Sequence, residues 1–211
     1  MYHRPDRPSA DELRPRPPHP QRYSPLRQLA DVLQTVAQTA LLLFIFTALI
    51  GRYEIHQTSM EPSFHEGQRV MVSQVGSVLP AWIVDRAHAA GSGAAPFDLQ
   101  RGQVVVFHED PRHRGDALIK RTIGLPGETI SIREGVVYIN GVRLDEPYAV
   151  GIFTDCEVFC ELTLAPGEYF FMGDNRTVSR DSRSFGPVTA DHVIGRVVLR
   201  FWPLDQLTYF P

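Results

Sequence analysis

Hydrophobic and polar positions follow two rhythms along this chain. From Val32 to Gly51 there are 20 residues without a charge, bracketed by Asp31 and Arg52. About 20 helical residues cross a hydrocarbon layer of roughly 30 Å. Residues 31–52 are therefore expected to form a single transmembrane helix. Its first half carries Gln34, Thr35, Gln38 and Thr39, and only Ala40–Ile50 is strongly apolar. A cleaved secretory signal or a buried core helix would share this pattern. The long tail before it, and the lack of an Ala-x-Ala sequence directly after it, speak against the first. The arginine-rich flank speaks against the second.

Beyond Arg52 the pattern alternates with period two and turns recur at short intervals. Expected strands are Gln68–Ser73, Gln103–His108, Ala117–Ile123, Thr129–Arg133, Val136–Ile139, Val142–Leu144, Glu168–Met172 and Val193–Trp202. Their valine, isoleucine, tyrosine and phenylalanine content suits strands. Asn140-Gly141 is a two-residue hairpin signal, since both turn positions need positive φ; Glu134-Gly135 reads as another turn. No long helical period appears after the span, so residues 53–211 are expected to be a mostly-β domain. Residues 74–100 break the alternation and read as an inserted loop.

Charge changes this picture at the N-terminus. The 211 residues carry a net charge of -3, which gives no reason to expect a nucleic-acid partner. Before residue 30, however, six arginines face three acids, among seven prolines. Such a segment cannot bury enough surface to fold. Residues 1–30 are expected to be a disordered, basic, proline-rich tail. The positive-inside rule places this tail in the cytoplasm and everything after the span outside.

Candidate chemistry centres on "HQTSMEPSF", residues 56–64. Ser59 follows the span by eight residues, a reach of at most about 28 Å, so it is expected close to the bilayer surface. A serine needs a base to become a nucleophile. His56, His65 and His192 lie in no recognisable triad motif, and Gly-x-Ser-x-Gly is absent. His108-Glu109 does not extend to a zinc-binding His-Glu-x-x-His, so no metal site is expected. The remaining base is lysine. Of 21 basic residues only Lys120 is a lysine. Arginine substitutes for a surface charge but cannot act as a base. Burial in a strand would lower the pKa of this amine. Two readings stand side by side: a general base for Ser59, or a buried lysine paired to a carboxylate. In "GDNRTVSRDSRSFG", residues 173–186, Gly173 permits an unusual backbone. Arg176 and Arg183 can hold Asp174 and Asp181 in bidentate pairs. This stretch is either a solvated loop or the scaffold that fixes serine and lysine.

Cys156 and Cys160 are the only cysteines. Two thiols without a nearby histidine are too few for structural zinc. Outside the membrane they can close a small disulfide loop, or remain two reduced, partly buried thiols.

Taken together, residues 30–200 resemble the bacterial type I signal peptidases. "SMEPS" resembles that family's nucleophile box and "RGQVVVF" its following strand. "KRTIGLPGE" resembles its base box and "GDNRTVSRDSR" its Gly-Asp-Asn-Arg box, all in the family's order. The resemblance implies Ser59 as nucleophile, Lys120 as general base and Ser179 as the hydroxyl that orients the amine. It implies supporting roles for Arg121, Asp174, Arg176, Asp181 and Arg183. Ile55, Met60, Phe64, Leu118 and Ile119 would line pockets for small residues at the first and third positions before the cut. The implied body is β-rich, without metal or cofactor, and anchored in the bacterial cell membrane. It would cut signal peptides from exported preproteins, with the lipid bilayer and the secretion translocon as further partners. The departures are Gln103 for the family's Asp, Ser63 for Thr, and Gln57, which stands where some members carry a serine that donates to the oxyanion. A peptidase dedicated to one substrate, and an inactive peptide-binding β-module, are the alternatives.

Overall fold

A computed structural model describes residues 25–74, 99–110, 116–150, 154–156 and 158–210. The chain divides into two units between Leu43 and Phe44. Helix α1 runs from Pro25 to Leu49, about 37 Å at 1.5 Å per residue. By length and composition Gln28–Ile45 can cross a membrane. Its polar residues do not spoil this. Thr35 Oγ1 donates to the Asp31 carbonyl at 2.8 Å, and Thr39 Oγ1 to that of Thr35 at 2.9 Å. Each hydroxyl is thereby satisfied within the helix, as a hydrocarbon setting demands.

The helix bounds differ from the expected 31–52 at both ends. Six residues assigned to the tail, Pro25–Ala30, are helical. Proline is tolerated at the first helical position, where its missing N–H has no intrahelical partner anyway. At the other end Ile50 and Gly51 belong to strand β1 (Ile50–Glu54), which pairs with β2 (Arg69–Ser73) from Ile50↔Ser73 to Glu54↔Arg69. Their apolarity serves a sheet. Residues 1–24 and 75–98, hence most of the tail and of the 74–100 loop, lie outside the described residues.

All eight expected strands are present, four with the expected bounds and four with ends moved by one residue. They are β2, β3 (Val104–Phe107), β4 (Leu118–Gly124), β5 (Thr129–Arg133), β6 (Val136–Ile139), β7 (Val142–Arg143), β9 (Glu168–Met172) and β11 (Val193–Trp202). Four further strands were not legible: β1, β8 (Glu161–Thr163), β10 (Val188–Thr189) and β12 (Thr208–Tyr209). Apart from β1 they are two or three residues long, too short for alternation to register. The second helix, α2, is the single turn Ser182–Phe185.

One sheet has the order β1-β2-β11-β3-β4-β9-β10, with β12 on β11; the other has the order β7-β6-β5-β8. The Asn140-Gly141 turn between β6 and β7 has φ of 49° and 79°, and Glu134-Gly135 between β5 and β6 has 50° and 78°, as the two hairpins require. Alternation along β4 sends Ile119 into one core cluster with Ile55, Met60, Phe64 and Val106, and Leu118 into another with Phe107 and Phe171. The strand therefore separates two apolar layers, and Lys120 is buried on the same strand.

Candidate active site

Ser59 does not lie on a strand. Thr58–Met60 forms a 3-10 turn, entered from Gln57 in an extended conformation (φ -130°, ψ 151°). Apolar anchors hold the turn. Met60 and Phe64 have no exposed surface, and Phe64 stacks on Phe210 at 5.1 Å. Phe64 N–H donates to the Met60 carbonyl at 2.9 Å. Met60 and Phe64 thus form core beneath the site.

Lys120 is 1% exposed and opposite Val105 in the β3–β4 ladder. Its Nζ donates to Ser59 Oγ at 2.7 Å and to the Ile119 carbonyl at 3.0 Å. Among the described residues no histidine bonds Ser59. Burial pulls the Lys120 pKa down from 10.5 to about 8; Asp181 and Asp174 pull it back up, and Arg183 adds to the lowering. Desolvation is the largest of these causes. Neither carboxylate bonds the amine.

Both carboxylates are instead held by arginines. Arg121 grips Asp174 bidentately (Nε–Oδ1 2.8 Å, Nη2–Oδ2 2.6 Å) and donates to Ser63 Oγ at 3.2 Å. Arg183 grips Asp181 likewise (Nε–Oδ1 2.8 Å, Nη2–Oδ2 2.9 Å). Arg176 pairs with Glu146 at 2.5 Å, not with Asp174. The partner of Asp174 comes from β4, and Glu146 was missed because no local signal marks a lone glutamate in a turn. Asp174, Asp181, Arg176 and Arg183 are all buried. A buried carboxylate missing its arginine would be strongly destabilising.

Loop 173–181 meets the nucleophile directly. Asn175 N–H donates to the Ser59 carbonyl at 3.0 Å, and Gly173 N–H donates to Asp181 Oδ2 at 2.9 Å. Gly173 is not needed for an unusual φ, as expected from sequence, but for space. A Cβ there would lie 2.2 Å from Ser179 Oγ and 2.5 Å from the Ser59 carbonyl oxygen. Gly173→Ala is expected to lower stability by about 1–3 kcal/mol, the usual cost of overpacking, and to displace Ser59; a wild-type melting temperature would show that the loop yields freely. Ser179 Oγ is buried over this glycine without a hydrogen-bond partner, so the expected bond to Lys120 is not made in this structure.

Two cavities flank Ser59. One, of about 400 Å³, is lined by His56, Gln57, Ser59, Leu118, Val178 and Arg180. The other, of about 330 Å³, is lined by Ile55, Gln57, Val70, Val106, Ala117 and Ile119 among others. Ile55, Leu118 and Ile119 therefore line cavities as expected. On the outer edge of β4, partner β9 covers Arg121, Thr122 and Gly124. Among the described residues, Leu118–Lys120 has no strand partner on that edge.

Cys156 and Cys160 are joined in a disulfide. The bridged loop touches the network, since the Asp155 carbonyl accepts from Arg183 Nη1 at 2.9 Å and Phe159 N–H donates to the Arg183 carbonyl at 3.2 Å. Closing so short a loop is worth about 2 kcal/mol of chain entropy. Cys156→Ser/Cys160→Ser is expected to lose about that much in urea unfolding, and an unchanged midpoint would refute this role.

The family described as "Signal peptidase, peptidase S26" matches residues 29–202. Signal peptidase IB of Staphylococcus aureus (strain MRSA252) is 30% identical over 200 residues, which cover 87% of this chain and 94% of that protein. Signal peptidase I of Bacillus caldolyticus is 30% identical over 179 residues, 79% of this chain and 85% of that one. A crystal structure of a signal peptidase I from Enterococcus faecalis V583 is 39% identical, with a TM-score of 0.41, and covers 47% of this chain and 97% of its own. The chain belongs to the type I signal peptidase family, serine endopeptidases that act on signal peptides.

Proposed function

We propose that the protein is a membrane-anchored endopeptidase with a Ser59/Lys120 dyad. It cleaves N-terminal signal peptides from exported preproteins after small residues at positions -1 and -3. The observation that carries this reading is the 2.7 Å contact between Lys120 Nζ and Ser59 Oγ, with the lysine 1% exposed. In the reactive state the amine is neutral and accepts the Ser59 proton as Oγ attacks the scissile carbonyl. The oxyanion forms near the start of the 3-10 turn, whose first N–H groups have no partner within the turn. Lys120, now protonated, gives its proton to the leaving amine. A water then repeats the sequence on the acyl-enzyme, with Lys120 as base and Ser59 as leaving group. The arginine-clamped loop keeps the nucleophile in register through the Asn175 N–H on the Ser59 carbonyl.

The substrate adds as a strand on the unpartnered edge of β4. Its -1 and -3 side chains enter the space lined by Ile55 and Ile119, while Leu118 borders the neighbouring cleft beside Ser59. Alternate side chains of a strand face one side, which accounts for a rule that skips position -2. Helix α1 spans the bacterial cell membrane once, with the N-terminus in the cytoplasm, the β-rich body outside, and the bilayer and secretion translocon as partners. Incubation of the detergent-solubilised chain with an Ala-x-Ala preprotein, read by mass spectrometry, tests the reading. A single cut after the second alanine is expected, and an uncut preprotein would defeat it.

A further inference from the structure

We propose that Arg180 is a specificity-determining residue that reads a carboxylate side chain on the leaving side of the scissile bond. The inference rests on the peptidase reading above. Both cavities are bordered by His56 and Gln57, but only the larger one reaches Ser59. The apolar cavity under Ile55 and Ile119 takes side chains from before the cut. The peptide that continues past Ser59 then occupies the rest of the larger cleft, beside Val178 and Arg180.

Among the described residues, Arg180 is the one arginine lining that cleft, and no carboxylate lines it. Its guanidinium is already presented in a fork. Nη1 and Nη2 donate to the two carboxylate oxygens of Glu109, and the group lies 5.6 Å over the Phe185 ring. This ion pair is shallow, with side chains 66% and 32% exposed. Exposed pairs contribute about 0–1 kcal/mol. Exchange of Glu109 for a substrate carboxylate therefore costs little, and the bidentate geometry suits the incoming group equally well. Phe185 and Glu109 hold the guanidinium beside the cleft until a substrate arrives. A basic side chain at the same position cannot make this pair with the guanidinium. The apolar cavity has a different rim, where Glu54, Asp116 and Arg52 all contribute, so the bias belongs to one side of the cut.

The test uses the full chain in detergent and peptides with alanine at -3 and -1. Asp, Asn or Lys is placed singly at -2, +1 or +2, and kcat/KM is measured for wild type, Arg180→Lys and Arg180→Glu. The readout is the Asp-to-Lys ratio at each position, which a general loss of activity would not move. Wild type is expected to favour Asp at +1 or +2 by about threefold to fivefold, the worth of an exposed pair. Arg180→Lys should keep the sign, Arg180→Glu should invert it, and high salt should flatten it. A ratio that Arg180→Glu leaves unmoved, or a preference confined to -2, overturns the assignment while leaving the peptidase reading intact. Failure of wild type to cut even the Asn peptides overturns both.

Discussion

Ser59→Ala and Lys120→Arg are each expected to lower kcat/KM for an Ala-x-Ala preprotein by about 10⁴-fold or more, the scale seen when a nucleophile or its base is removed. The fold should persist in both. Lys120→Arg is the more telling change, because it keeps the positive charge and removes only the capacity to lose a proton. It also places a larger group where the amine is 1% exposed, so Lys120→Met, close in volume and uncharged, serves as the companion. Both must be inactive for the base to be lysine. The pH profile gives an independent check. Burial holds the amine near a pKa of about 8, and only its neutral form can take the serine proton. For wild type kcat/KM should rise with pH through that region and then level off. The same shift acts on stability with a definite sign. Between about 8 and 10.5 the unfolded chain holds a proton that the folded chain has released, so stability rises with pH across that window. At neutral pH the buried ammonium is a cost, and Lys120→Met should melt higher than wild type. A Lys120→Arg variant with substantial activity, or a profile set by His56, would end the dyad reading.

Much of this was legible in the sequence, and the residues show why. Strands of four or more residues with β-branched alternation, such as Thr129–Arg133 and Val136–Ile139, coincide with the structure. Hairpin chemistry at Asn140-Gly141 is local, so sequence alone carries it. The identity of the base was legible because a single lysine among twenty arginines is a chemical choice. What could not be read were facts settled between distant segments. Arg121 on β4 takes Asp174, and this leaves Arg176 to reach Glu146. Both pairings obey the same charge rule as the expected ones, and only the fold distinguishes them. Met60 and Phe64 have the apolarity that both a pocket wall and a core demand, and both are fully buried in the cluster with Ile55. Ile50 and Gly51 continue an apolar run, yet β2 stands ready to pair with them. Composition describes an environment, and more than one element can supply it.

Gln57→Ala is expected to lower kcat by about 10²–10³, the loss typical of removing one oxyanion donor. The attacked carbonyl oxygen becomes an anion and needs two donors near Ser59. The backbone N–H of Ser59, second residue of the 3-10 turn, is the expected first donor. A simple argument from strand alternation would put Gln57 and Ser59 side chains on one face, but the chain turns at Thr58, so that argument does not carry over. Two other observations keep Gln57 in place as the second donor. It lines the cleft together with Ser59, and among the described residues its amide has no hydrogen-bond partner. A neutral amide with two free donors beside a nucleophile can follow the developing charge where a serine hydroxyl does so elsewhere. Because that bond strengthens only in the transition state, KM should change little. Gln57→Glu separates donation from bulk. It preserves length but presents only acceptors near an anion, so it should lose at least as much kcat as the alanine variant. A glutamate variant more active than the alanine one, or an alanine variant within about tenfold of wild type, would place the second donor elsewhere on the turn.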